Sequence, residues 1–191
     1  TSDADFRPNV ETMVADNCNL IIGVGFSLEK AVHASADENK DLHFALVDAS
    51  FSDKKNELVT IENGRPLLFN TSEAAFLAGY VAAGMTKTGK VATFGGIQIP
   101  AVTVFMDGFA DGVAAYNDAK GASVQLLGWD KAAQAGSFTQ SFDDQALGKQ
   151  QAQQFISQGA DIIMPVAGPV GLGAATAALA DGNTLIIGVD S

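Results

Sequence analysis

Few of the residues able to do chemistry stand at spacings that let them cooperate. Gly84 to Lys90 reads GMTKTGK, the first seven positions of a Walker A phosphate loop. Position eight is Val91, not the Ser or Thr whose hydroxyl would hold magnesium, and the segment precedes an apolar run where a phosphate loop follows one. It reads as a helix end and connector. Gly23-Val24-Gly25 opens a dinucleotide fingerprint, but Leu28 occupies the third glycine position, and Gly168, Gly171 and Gly173 have the wrong spacing for the same motif. His33 and His43 read as surface or packing residues, neither with a carboxylate or cysteine at metal-ligand spacing. No Gly-x-Ser-x-Gly elbow and no Cys–His arrangement is present. Asp143 and Asp144 are adjacent, and adjacent side chains rarely aim at one point, so Asp144 reads as a helix N-cap. The lone Cys18 reads as a structural thiol near a strand start, and Asn70-Thr71-Ser72 as a chance sequon at a helix start. Without a nucleophile–base pair, a metal cluster or a phosphate loop, the inventory points to binding rather than catalysis.

The residues that could bind are set by the elements that carry them. Short apolar runs at Leu20–Val24, Phe44–Val47, Val91–Phe94, Val124–Leu127, Ile162–Met164 and Leu185–Ile187 lack strict alternation. Such runs suit strands covered on both faces, as in a parallel sheet. Pro66–Phe69 reads as one further short strand. Between the runs the period turns helical. Phe105, Phe109, Val113 and Tyr116 make one stripe of a helix over 101–119. Asn70 with Glu73 predicts a capping-box-like helix start, Ser27 predicts a cap for a helix to Ala36, and Gly159 closes a helix carrying Phe155. Ala174–Ala180 is a small-residue helix able to lie close to a sheet. The alternation predicts a doubly wound α/β fold. A basic, turn-rich seam at 86–90 divides it into a first lobe, 1–88, and a second, 89–191.

In open parallel sheets, ligands bind beyond the carboxyl ends of the strands. Here those ends are Gly25-Phe26, Asp48, Gly95-Gly96, Gly128-Trp129, Ala167-Gly168 and Asp190. Glycines let a ligand approach the backbone, an aromatic offers a stacking face, and carboxylates accept from hydroxyls. That set suits a small neutral molecule with a ring and a diol. The segment Gly136–Asp144 is polar yet carries Phe138 and Phe142, whose rings either tuck into the core or line a cleft; Trp129 leans towards packing.

Composition bounds the partners. With 191 residues, 47% apolar and 17% charged, the chain can bury a sizeable core as one large domain or two small lobes. Eleven basic against 22 acidic residues leave a net charge of −11, which repels phosphate backbones and anionic lipid. No apolar run approaches the ~18 residues of a membrane span.

Lys87-Thr88-Gly89-Lys90-Val91, Phe94-Gly95-Gly96 and Pro100 resemble the opening of lobe two in the basic membrane protein family, substrate-binding lipoproteins of ABC transporters that include purine nucleoside receptors. Ser141-Phe142-Asp143-Asp144 with Gly148-Lys149 is similar to that family's Gly-Ser-Phe-Asp-Asp…Gly-Lys segment. Gln158–Ile163, Ala167-Gly168, Gly171–Gly173 and Ile187–Ser191 follow in order, and Gly23–Phe26 and Glu73–Gly79 match the first lobe. The resemblance implies a type I periplasmic-binding-protein fold, two α/β lobes with a ligand clamped between, in a chain cut at both ends. It implies that Phe142 stacks on a nucleobase, Asp190 binds ribose hydroxyls, Gly168 lines the ribose side, and Asp48 and Phe26 form the first-lobe wall. Met164 stands where relatives often carry an aromatic, leaving a thioether as the opposite face, and the Gly136–Ser141 stretch is longer than usual. The function implied is non-catalytic capture of a nucleoside, with a purine preferred, outside the bacterial membrane. Delivery would be to an ABC permease, with attachment only through a lipid anchor outside this chain; no cofactor, metal or nucleic acid enters. Alternatives are a sugar or other small-molecule receptor, the effector domain of a transcription regulator, or, least favoured, a nucleoside-processing enzyme.

Overall fold

The structure is a computed structural model that describes residues 3–53 and 58–189. It divides into two compact units, Thr1–Phe69 and Asn70–Ser191.

The first unit runs α1 (Asp3–Ala15), β1 (Leu20–Val24), a 3-10 turn (Phe26–Leu28), α2 (Glu29–Glu38), β2 (His43–Val47) and β3 (Gly64–Leu67). All strand pairs are parallel, in the order β1-β2-β3. Phe44, Leu46, Phe51 and Val32 are fully buried, and α1 adds Val10 with the half-buried Phe6 and Val14, one stripe at i, i+4, i+8. Helix α1 has no counterpart among the elements read from the sequence. Ser27 does not cap α2 but lies inside the 3-10 turn, and Leu28 occupies the cap position without a side-chain bond. Coverage on both faces also fails for β1. Ile21 is buried while Leu20, Ile22 and Val24 are 54–70% exposed, the alternation of a one-sided strand.

The second unit runs α3 (Thr71–Met85), β4 (Lys90–Gly95), α4 (Pro100–Lys120), β5 (Gln125–Leu127), a hairpin of β6 (Trp129–Asp130) and β7 (Ala135–Gly136), α5 (Gln145–Ser157), β8 (Ile162–Val166), α6 (Val170–Asp181) and β9 (Leu185–Ile186). Its parallel sheet has the order β5-β4-β8-β9. Here both faces are covered. Val91, Ile162, Met164 and Val166 pack with Met106, Phe109 and Val113 of α4, while Ala92, Phe94 and Ile163 pack with Ala152 and Phe155 of α5 and Val170 and Ala174 of α6. Thr93 is buried within β4, and its hydroxyl donates to the Met164 carbonyl at 2.8 Å, which satisfies the one polar group in that layer of the strand.

The seam at 86–90 lies inside the second unit rather than dividing the chain. Helix α3 packs along α4 so closely that a Cβ at Gly79 would land on the Phe109 carbonyl, and one at Gly112 on the Phe76 carbonyl. That backbone contact ties α3 to the second unit and moves the division to Phe69/Asn70.

Candidate functional site

Each unit presents its own carboxyl edge. In the first, the chain leaves β1 through Gly25 at φ 101°, whose N–H donates to the Val47 carbonyl at 3.0 Å. Phe26 follows, half-buried against that unit's core. Asp48 directly follows β2 at φ 62° and donates its N–H to the Leu67 carbonyl at 2.9 Å. A left-handed backbone at a non-glycine residue costs roughly 1–2 kcal/mol and clusters at functional positions. Phe26 and Asp48 therefore share one edge, with Asp48 half-buried.

The second edge is built around a strap. Ser137 donates its N–H to the Gly128 carbonyl at 2.8 Å, and its carbonyl accepts from Gly95 at 3.0 Å. Thr139 N–H then donates to Gly95 O at 3.0 Å and Gln140 N–H to Gly96 O at 2.8 Å, while Gly96 N–H donates to the Val166 carbonyl at 2.9 Å. The segment from Ser137 to Gln140 thus crosses the end of β4 as a short backbone splice. A Cβ at Gly95 would collide with the Phe138 ring and Val102, and one at Gly96 with the Phe142 ring. Gly95 and Gly96, expected to admit a ligand, instead admit the strap, and both are buried.

The strap delivers Phe142. Its ring is half-buried, packed partly on the core, and its carbonyl accepts from Val170 N–H at 3.3 Å at the start of α6. Gly168, exposed and at φ 52°, lies beside it, with the Phe142 carbonyl oxygen 3.7 Å from the direction a Cβ would take. Phe142 and Gly168 are thereby brought together beyond the ends of β4 and β8. Phe138 packs inward, its ring edge-on to Trp129 at 5.9 Å. Trp129 is buried and its Nε1 donates to Asp107 at 2.9 Å, which makes it a packing residue. Asp144 caps α5, its carboxylate accepting from Ala146 N–H at 2.9 Å and Leu147 N–H at 3.4 Å. Met164 is not at this edge. It is 1% exposed in the middle of β8 and packs beneath α4, so its thioether has no open face to offer. Asp190 lies outside the described residues.

The connector at 86–90 does bind an anion, but one of the chain's own. The Asp161 carboxylate accepts from the Thr86 hydroxyl, from Lys87 N–H at 2.6 Å and from Thr88 N–H at 3.1 Å. Partial burial pushes its pKa up, yet these hydrogen bonds outweigh burial and hold the carboxyl below its ordinary value. His33, read as having no carboxylate at metal-ligand spacing, lies 3.6 Å from Glu29 and 3.7 Å from Asp37, one turn away on either side along α2. Its ring also meets Phe51 edge-on at 5.7 Å, and no group of three or more His, Cys, Asp or Glu among the described residues is placed to hold a metal.

Chemically, the second edge offers an aromatic ring and exposed backbone at Gly168, with no Lys, Arg or His in 137–144 or 167–169; within the loop the Thr139 hydroxyl donates to the Ser141 carbonyl at 3.0 Å, and the Ser141 hydroxyl accepts from Asp143 and Asp144 N–H at 3.1 and 3.0 Å. Such a surface can stack on a flat ring and hydrogen-bond a neutral polar one. It has no cation with which to hold a phosphate. No helix among the described residues is long and apolar enough to cross a membrane.

The sequence profile of the family described as ABC transporter substrate-binding protein PnrA-like matches residues 1–191. The ABC transporter nucleoside-binding protein BmpA of Lactococcus lactis subsp. cremoris is 33% identical over 172 residues, 90% of this chain and 44% of that protein. Basic membrane protein D of Borreliella burgdorferi is 33% identical over 91% of this chain and 47% of its own length. Among solved structures, an ABC transporter solute-binding protein from Aeropyrum pernix K1 is 29% identical and superposes with a TM-score of 0.78, covering 100% of this chain and 51% of that one. The type I periplasmic-binding-protein fold is the one these structures share. The chain spans about half the length of the curated relatives it matches.

Proposed function

Because this chain belongs to the PnrA-like family of ABC transporter substrate-binding proteins, we propose that it contributes the recognition surface for a nucleoside, with a purine preferred, in an extracytoplasmic receptor that hands its ligand to an ABC permease. The reading is supported above all by one observation: a half-buried phenylalanine, Phe142, held by a backbone splice beside the exposed Gly168 at the carboxyl edge of the second unit's sheet. A base stacks on the Phe142 ring, and stacking of this kind contributes about 1–3 kcal/mol per base. Gly168 admits the ribose side, and Asp190 accepts from the ribose hydroxyls. Phe26 and Asp48 are ligand contacts from their own edge. The receptor performs no catalysis and is tethered through a lipid anchor outside these residues.

Calorimetric titration with guanosine, adenosine, ribose and free bases tests the reading. Nucleosides are expected to bind and ribose alone not to; binding of ribose without nucleosides, or release of free base on incubation, would overturn it.

A further inference from the structure

We infer that Gly96 is a positioning residue for ligand recognition: its bare backbone is the seat that fixes where the Phe142 ring stands. The inference rests on the proposed stacking role of that ring.

Glycine is needed at a position either for its backbone or for the room it leaves. Gly96 is not among the residues with positive φ, unlike Gly25 or Gly168, so its conformation is open to any residue. Room is therefore the reason. A Cβ at Gly96 would overlap Cδ1 and Cε1 of Phe142 and come within 2.9 Å of the Ser141 carbonyl oxygen. The backbone on both sides is pinned. Gly96 N–H donates to Val166 O, Gly96 O accepts from Gln140 N–H, and Phe142 O accepts from Val170 N–H, at 2.9, 2.8 and 3.3 Å. A methyl group at position 96 is not easily met by sliding β4, which is packed between α4 on one face and α5 and α6 on the other, so the displacement falls first on the nearest atoms, those of the Phe142 ring. The space left at Gly96 thus sets how closely the Phe142 ring can approach the end of β4. The same logic applies one residue earlier, where Gly95 leaves room for Phe138 and for its inward packing on Trp129.

A double-mutant cycle in the intact chain tests this. Gly96→Ala, Phe142→Ala and the double variant are titrated with guanosine. Gly96→Ala is expected to weaken binding about tenfold in the parent and about threefold or less once Phe142 is Ala, because the ring overlap is then gone and only the Ser141 carbonyl oxygen remains close to the methyl. Equal loss in both backgrounds would overturn the inference. A second measurement needs no ligand: nuclear Overhauser contacts between the Gly96 α-protons and the Phe142 ring are expected in the parent, and a ring displaced in a crystal structure of Gly96→Ala. Absence of those contacts, or an unmoved ring, overturns it as well. If Gly96→Ala does not fold, recovery of folding in the double variant supports the seat and equal failure refutes it. A parent that binds no nucleoside would sink the functional reading while leaving the ring contacts to decide the seat.

Discussion

Asp48 holds a backbone conformation, φ 62°, that an unconstrained aspartate would avoid. Asp48→Gly is expected to relieve that strain and stabilise the protein by about 0.5–1 kcal/mol in urea denaturation, while weakening nucleoside binding. A variant that loses stability would show that the carboxylate, not the strain, dominates there. Phe142→Ala is expected to weaken guanosine binding by roughly 5- to 150-fold, the range of base–aromatic stacking. At this scale the sequence was legible in residue type but only partly in orientation. Asp144 as a cap and Trp129 as a packing residue could be read because neighbouring residues offered each a structural role. Phe138 and Phe142, four apart in one polar stretch, could not be told apart, since what separates them is which glycine each ring overlies. Met164 failed because its burial depends on standing two residues short of the strand's end.

Among the elements, the clearest dependence on pH belongs to the clasp between β8 and the 86–90 connector. The Asp161 carboxyl is held below its ordinary value in the folded protein. The stability it contributes is therefore fully present above about pH 4, the unfolded range, and drains away as pH falls through the lowered folded value. Asp161→Asn is expected to cost about 1–2 kcal/mol at pH 7 and to flatten the fall in melting temperature between pH 5 and 2. An unchanged acid profile would assign the dependence elsewhere. Gly112→Ala, which drives a methyl into the Phe76 carbonyl on α3, is expected to cost about 1–3 kcal/mol in the same assay. Strands were legible because apolar runs ending in Gly or Asp are hard to mistake; β1 was read residue for residue. Helix α1 was harder, for Pro8 and its charges interrupt the stripe of Phe6, Val10 and Val14. The hairpin β6–β7 has two-residue strands and left no periodic trace.

For the whole molecule, charge is the governing quantity. A net −11 makes the chain repel itself and other polyanions. Raising salt from about 10 to 150 mM, which shortens the screening length from roughly 30 to 8 Å, is expected to raise the melting temperature modestly, and duplex DNA is expected not to bind at either salt concentration. A fall in melting temperature would mean that attractive pairs such as Lys131–Asp111 outweigh the repulsion. Two units were anticipated, yet the division was misplaced because glycine-to-carbonyl contact between α3 and α4 is invisible until the helices are side by side.

The splice across the end of β4 uses only main-chain groups of Ser137, Thr139 and Gln140. The rungs are backbone groups, yet Gln140 supplies its own at φ 59°, a left-handed conformation that few side chains hold cheaply. Exposed Gln140 can be exchanged for Gly, Asn or Asp without loosening the moorings, and a small library of that kind measures whether this position tunes which guest is preferred while the scaffold beneath stays as it is.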